Sequence, residues 1–480
     1  MRGCYMGQEI GTSEFTEKDY AVFVEKLHAE TQLLASWFAD NRLDNRSFRA
    51  GYELEGWILD REGKPVPDGE RFLDETAHPD VVAELSRFNV ELNGTPHSFG
   101  PDIFSRMECD LKRTWEHCQI AAQACGDQLL LIGTLPTIKA NDLSVKNMSP
   151  LNRYRALNRQ IMRARGGKPI LLDIQGKDHL SLQHKDVMLE AGATSFQIHF
   201  QVPAVLMVRV YNASIALSGP LVALTANSPF LFGKQLWAET RIPLFEQAVD
   251  SATVHQAVLR RVTFGSGYLH DNPMDMFREN LGYPLLLPVQ LPDEAEALSH
   301  LKLHNGTIWR WNRLLVESGD RPCLRIEHRT MAAGPSLLDM LANAAFYFGT
   351  VQAMSKAPQA IESGLPFDSA EQNFYAAARD GLDAKLHWEG KRALRAKDLL
   401  LNELLPLAKS GLVELNIDAA DSNRLLGVIE ARLRSEQTGA AWQLKHASHY
   451  RNDFQRLVED YLENQQSGKP VHEWRIGTGQ

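Results

Sequence analysis

Cysteine is scarce in this 480-residue chain: five residues, Cys4, Cys109, Cys118, Cys125 and Cys323, with no CxxC pair among them. So few thiols, odd in number, argue against a disulfide framework or a zinc knuckle and fit a reducing, cytoplasmic compartment. Basic charge is not in excess either. Lys and Arg total 51 against 60 Asp and Glu, a formal net charge of −9. That balance gives no reason to expect nucleic acid or an anionic membrane as partner, although a local basic pocket is compatible with it. Long apolar runs are missing: the most apolar region, 202–232, is broken by Pro203, Arg209, Asn212, Pro220 and Asn227, so no membrane-spanning helix is expected. The first twenty residues lack the apolar centre of a signal peptide.

Familiar nucleotide and metal motifs are missing too. Gly166-Gly167-Lys168 lacks the GxxxxGK[ST] spacing, and the glycines at 265 and 267 lack a strand–GxGxxG–helix setting. No HExxH occurs, which weighs against a metal-dependent hydrolase. If ATP binds, it binds through metals and arginines on a sheet.

What is present is the composition of a globular domain with ample core, 44% hydrophobic and 23% charged. Apolar residues at three- and four-residue spacing predict a first helix in the run opened by Ser13-Glu14-Phe15-Thr16, a helix in "DIFSRMECDLKRTWEHCQIAAQAC" followed by a Gly-Asp turn and a strand, and a basic helix stopped by Gly166-Gly167. A buried helix is expected across the Pro220 region. Beyond about Gly334 helical periodicity dominates, ending in an irregular tail. Residues 1–335 are therefore taken as the catalytic domain with its N-terminal helix, and residues 336–480 as a helical portion packed on it.

Four putative strands carry unusual polar faces. In "GYELEGWILD" Glu53 and Glu55 share a face opposite Tyr52 and Leu54. In "NVELN" Glu91 opposes Val90 and Leu92; in "SFQIHFQ" Gln197, His199 and Gln201 oppose Phe196, Ile198 and Phe200; in "LRIEHR" Arg325, Glu327 and Arg329 oppose Leu324, Ile326 and His328. Each apolar face calls for a helical layer. Taken singly, each polar face could meet bulk water, and Glu53 or Glu55 could pair with Arg325 or Arg329. Pooled on one sheet face, four glutamates, a histidine and arginines are ligands for hard divalent cations with counter-charges for phosphate. The fold class that follows is α+β, a curved, mainly antiparallel sheet with helices on one face, the active site on the other and a helical C-terminal portion.

The ordered set "GYELEGWILD", "NVELNGTP", "TSFQIHFQV", "ANSPFLFGKQLWAETR" and "RIEHRTMAAGP" resembles the glutamate–cysteine ligase family, especially its bacterial carboxylate–amine ligase branch with a glutamine-synthetase-like fold. The resemblance implies Glu53, Glu55, Glu91 and Glu327 as ligands of Mg²⁺, with Mn²⁺ as an alternative. It implies His199 as imidazole ligand or nucleotide contact, and Arg329 as the phosphate contact. Glu53 and Arg329 would then be the catalytic residues. Arg241 stands where the family holds its amino-acid substrate, and Tyr154 matches an "RY" element of the substrate site. The implied activity is ATP-dependent joining of a carboxylate, glutamate or similar, to an amine such as cysteine through an acyl phosphate. A catalytically silent, regulatory relative that binds nucleotide or amino acid is the alternative. The chain departs from the family after "EHR", where "TMAAGP" stands.

Overall fold

The computed structural model describes residues 9–251, 260–292, 294 and 296–477; Cys4 lies outside the described residues. Its centre is an antiparallel sheet built from β1 (Arg49–Leu59), β2 (Val81–Ala83), β3 (Asn89–Asn93), β4 (Phe196–Gln201), β5 (Asn312–Glu317) and β6 (Cys323–His328). The strand order is β5-β6-β4-β1-β3-β2, with two short strands, His97–Ser98 and Gln128–Leu130, also pairing with β1. Register is what unites the polar faces. Glu53 lies opposite Gln197 on one side and Asn93 on the other, Glu55 opposite Glu91, and His199 opposite both Gly51 and Glu327. A one-residue slip in any ladder would send one set to the wrong side.

The helices used below are α1 (Glu17–Ala39), α2 (Ile103–Cys125), α3 (Asn152–Ala164), α4 (Met207–Thr225), α5 (Arg241–Ala248), α6 (Ser299–Gly306), α7 (Leu337–Lys356), α8 (Leu405–Glu414), α9 (Ala419–Ser435), α10 (Gly439–His449) and α11 (Phe454–Gln466); others, among them Gly69–Thr76, Met274–Asn280 and Phe367–Asp380, lie between them. α1 starts at a capping box in which Thr16 and Asp19 satisfy each other's backbone donors. Ser336 and Asp339 do the same for α7. α3 stops where Gly166 and Gly167 adopt positive φ.

α7 covers the apolar face of the sheet. Phe200 meets the rings of Tyr347 and Phe348, and His328 stacks on Tyr347 with centroids 4.6 Å apart. α8 crosses α7 closely: a Cβ at Gly411 would lie 1.9 Å from the Gly349 carbonyl oxygen, and one at Gly349 2.2 Å from that of Ala408. Only glycine permits that approach. The segment Ala204–Thr225 is long and apolar enough to cross a membrane, but 78% of its apolar window is buried inside the fold. Asn212, Ser214 and Ser218 within α4 are bonded to Leu269, Val210 and Ser214 respectively.

The α+β architecture matches the expectation from the sequence, with additions. Residues 385–395 form a small hairpin within the helical C-terminal part, and Ile170–Gln175 pairs with His179–His184 in another. Neither was anticipated. The tail is not wholly irregular either. Val471–Glu473 makes a 3₁₀ turn, and Trp474 packs edge-on against Trp442 and Tyr461. One continuous hydrophobic core contains residues from Phe23 to Trp474.

Candidate active site

The polar sheet face is the floor of a cleft walled by α3, the end of α5 and the end of α6. Alternation along β1 aims Glu53 and Glu55 into it while Leu54 enters the core. His199 Nε2 sits 3.3 Å from Glu53 Oε1 and 3.7 Å from Glu327 Oε1. It is buried without a hydrogen-bond partner among the described residues. Donor atoms of Glu53, His199 and Glu327 lie within 4.8 Å of one another, and so do those of Glu55, Glu84 and Glu91. The cleft thus holds two triads.

Their electrostatics differ. Burial would raise the Glu327 carboxyl, but Arg313 and Arg329, each 2.8 Å away, together with His199 hold it well below the usual carboxylate range. Burial also works against Glu53, and His199 outweighs it, so Glu53 is lowered. The second triad goes the other way. Burial, with Glu84 close by, pushes Glu55 up to about 7; burial and the neighbouring Glu53, Glu84 and Glu55 raise Glu91 well above its ordinary value; burial raises Glu84. Three crowded carboxyls, beside a triad of two carboxylates and an imidazole, form an oxygen-rich donor set that fits hard divalent cations. Glu55 is held in place by Ser195, which donates from N at 2.7 Å and Oγ at 2.9 Å, and by Gln197 Nε2 at 2.9 Å.

Arg329 donates from Nη1 to Glu327 and to Gln197 Oε1, while its buried Nε has no partner among the described residues. Tyr154 lines the cleft, with its hydroxyl 3.1 Å from the Ala83 carbonyl and 2.6 Å from Arg153 Nη2. Burial raises its pKa far above the usual phenol value.

Arg241 begins α5, is buried, and stacks on Trp311 at 5.3 Å. Its Nε donates to Glu239 at 3.3 Å and its Nη2 to the carbonyls of Arg329 and Thr330. It stands behind the Arg329 turn, not on the cleft wall. A guanidinium so committed braces that turn.

Cleft residues not anticipated as site residues include Glu84, Arg153, Glu190 and Arg313. Glu84 follows a strand of only three residues, too short for alternation to reveal. Arg313 lies on β5, where its face is legible only once pairing with Glu327 across the ladder is known.

A family model for glutamate–cysteine ligase family 2 matches residues 49–460, from the first residue of β1 into α11. The chain belongs to this family. Among solved structures, the ligase fold is similar to glutamate–cysteine ligase from Francisella tularensis in complex with AMP: 13% identity, 88% of this chain and 90% of that one covered, TM-score 0.55. A weaker likeness is to a bifunctional glutathione synthetase from Pasteurella multocida, with 11% identity, 93% of this chain and 54% of that one covered, and TM-score 0.49. No functionally curated protein matches the sequence. As a family 2 member, the chain carries all six residues of its two triads within the matched region.

Proposed function

We propose that this protein is an ATP-dependent ligase that joins a carboxylate to an amine, acting as a glutamate–cysteine ligase-like enzyme through an acyl phosphate. The observation that carries the reading is the pair of triads, Glu53–His199–Glu327 and Glu55–Glu84–Glu91, sharing one sheet face with Arg329 and Arg313 beside them. These triads would hold Mg²⁺ or Mn²⁺, which when bound supplies charge neutralisation for a triphosphate.

The chain's own residues do the remaining work. Arg329 presents a guanidinium whose Nε is unsatisfied among the described residues, suited to the charge on a transferring phosphoryl group. Arg241 and the Trp311 carbonyl, which accepts from Arg329 N at 2.9 Å, fix the Arg329 backbone. Gln197 ties Arg329 to Glu55, so the two triads and the arginine form one bonded frame. Such preorganisation keeps nucleophile and phosphoryl donor in line without reorganisation during transfer. The apolar wall formed by Leu157, Phe245, Leu303 and Trp309 limits water, which would otherwise compete with the amine.

The test is ADP and phosphate release with Mg²⁺ and ATP, with glutamate as carboxylate and cysteine among a panel of amines, beside Glu53→Gln. The expected result is release that needs both partners and is lost in the variant. ATP binding without turnover would support the regulatory alternative, and turnover without ATP would support hydrolysis.

A further inference from the structure

Glu190 is a cleft carboxylate left over when the charges are paired. Five other glutamates form the two triads, and Glu317 pairs with Arg325. Arg329 and Arg313 are engaged by Glu327. The Glu190 carboxyl makes no hydrogen bond or ion pair among the described residues.

Its placement is not that of a surface side chain. It sits on a 3₁₀ turn, Val187–Gly192, whose other residues Val187, Met188, Leu189, Ala191 and Gly192 are all buried. Asp186 accepts from Met188 N at 3.0 Å, and Asn158 Oδ1 accepts from Val187 N at 3.1 Å, pinning the start of the turn. The turn therefore delivers one carboxylate into the cleft. Burial, with Glu84 and Glu55 nearby, raises its pKa well above the ordinary value. Arg329 offsets only part of the burial and like-charge cost of a carboxylate there, and no hydrogen bond among the described residues adds to it.

We propose that Glu190 is the anchor for a primary ammonium group of a substrate. The inference rests on the ligase reading of the same cleft. Each triad already offers three donor atoms to a cation, so what Glu190 lacks is a cationic hydrogen-bond donor. Amino acids and amines carry one near neutral pH. Two sources share this chemistry: the α-ammonium of the carboxylate substrate and the nitrogen of the incoming amine.

Calorimetry with Mg²⁺ and a non-hydrolysable ATP analogue separates them, using glutamate, glutarate (the same carboxylates without the amino group), cysteine and simple amines as probes on the wild type and Glu190→Gln. The expected result is a loss of about tenfold or more in affinity for an ammonium-bearing probe, with glutarate unchanged. Loss confined to glutamate places the donor's amino group at Glu190; loss confined to the amines places the nucleophile there. Glu190→Asp, which keeps the charge, should recover part of the affinity, and thermal melting checks that both variants fold.

Equal affinities in wild type and variant for every probe, including no binding by either, overturn the proposal. A shift in the Mg²⁺ concentration needed for analogue binding also overturns it, because Glu190 is then a cation ligand. Turnover by the wild type is measured separately. Its absence sinks the ligase reading, while the affinity comparison still decides Glu190.

Discussion

Glu55 and Glu91 face each other directly across the ladder between β1 and β3. Like charges in that position destabilise a sheet, and both carboxyls are raised above their ordinary range. The protein keeps an unfavourable pair where a bound cation would relieve it.

Replacing Glu91 by Gln should therefore stabilise the cation-free protein, by about 1–3 °C in melting temperature. Added Mg²⁺ should raise the wild-type midpoint more than the variant's, and ligase turnover should fall by about tenfold or more. Differential scanning with and without Mg²⁺ checks the first two; a lower midpoint for the cation-free variant would contradict the cation-site reading.

Arg313 and Glu327 form a buried pair at 2.8 Å, with Arg313 Nη1 also donating to the Gly306 carbonyl. Arg313→Leu removes one partner and leaves Glu327 less compensated, so a loss of about 3 kcal/mol is expected in urea unfolding. A loss below about 1 kcal/mol would mean that Arg329 and His199 alone suffice for Glu327.

His304, buried in α6 and donating from Nε2 to the Asn280 carbonyl at 2.7 Å, has its pKa pushed down to about 4 by burial. The unfolded chain, near 6.5, binds this proton more readily than the folded one, so stability falls as pH drops from about 6.5 to about 4. The contribution lost by the lower end is about 3 kcal/mol. In His304→Gln, urea midpoints measured across that window should vary less with pH than in the wild type; an unchanged slope would refute the assignment.

Gly349 lies where α8 crosses α7, and a Cβ there would meet the Ala408 carbonyl oxygen at 2.2 Å. Backbone cannot yield as a side chain does. Gly349→Ala should cost about 1–3 kcal/mol despite its better helix propensity. A raised melting temperature would show that the helices can separate freely.

Local pattern alone determined much of this molecule. Alternation in β1, β3, β4 and β6 assigned each glutamate, His199 and Arg329 to a polar face, because side-chain direction in a strand depends only on parity along the chain. The stops of α2 and α3 were legible in their glycines for a similarly local reason. Which glutamates share a triad was not legible, since that depends on register between strands far apart in sequence: Glu55 joins Glu84 and Glu91, whereas Glu53 joins His199 and Glu327. Glu84 and Glu190 were missed because a three-residue strand and a 3₁₀ turn carry no period to read. Motif order could not say on which side of its turn the Arg241 guanidinium lies, and packing against Trp311 and Glu239 decided that.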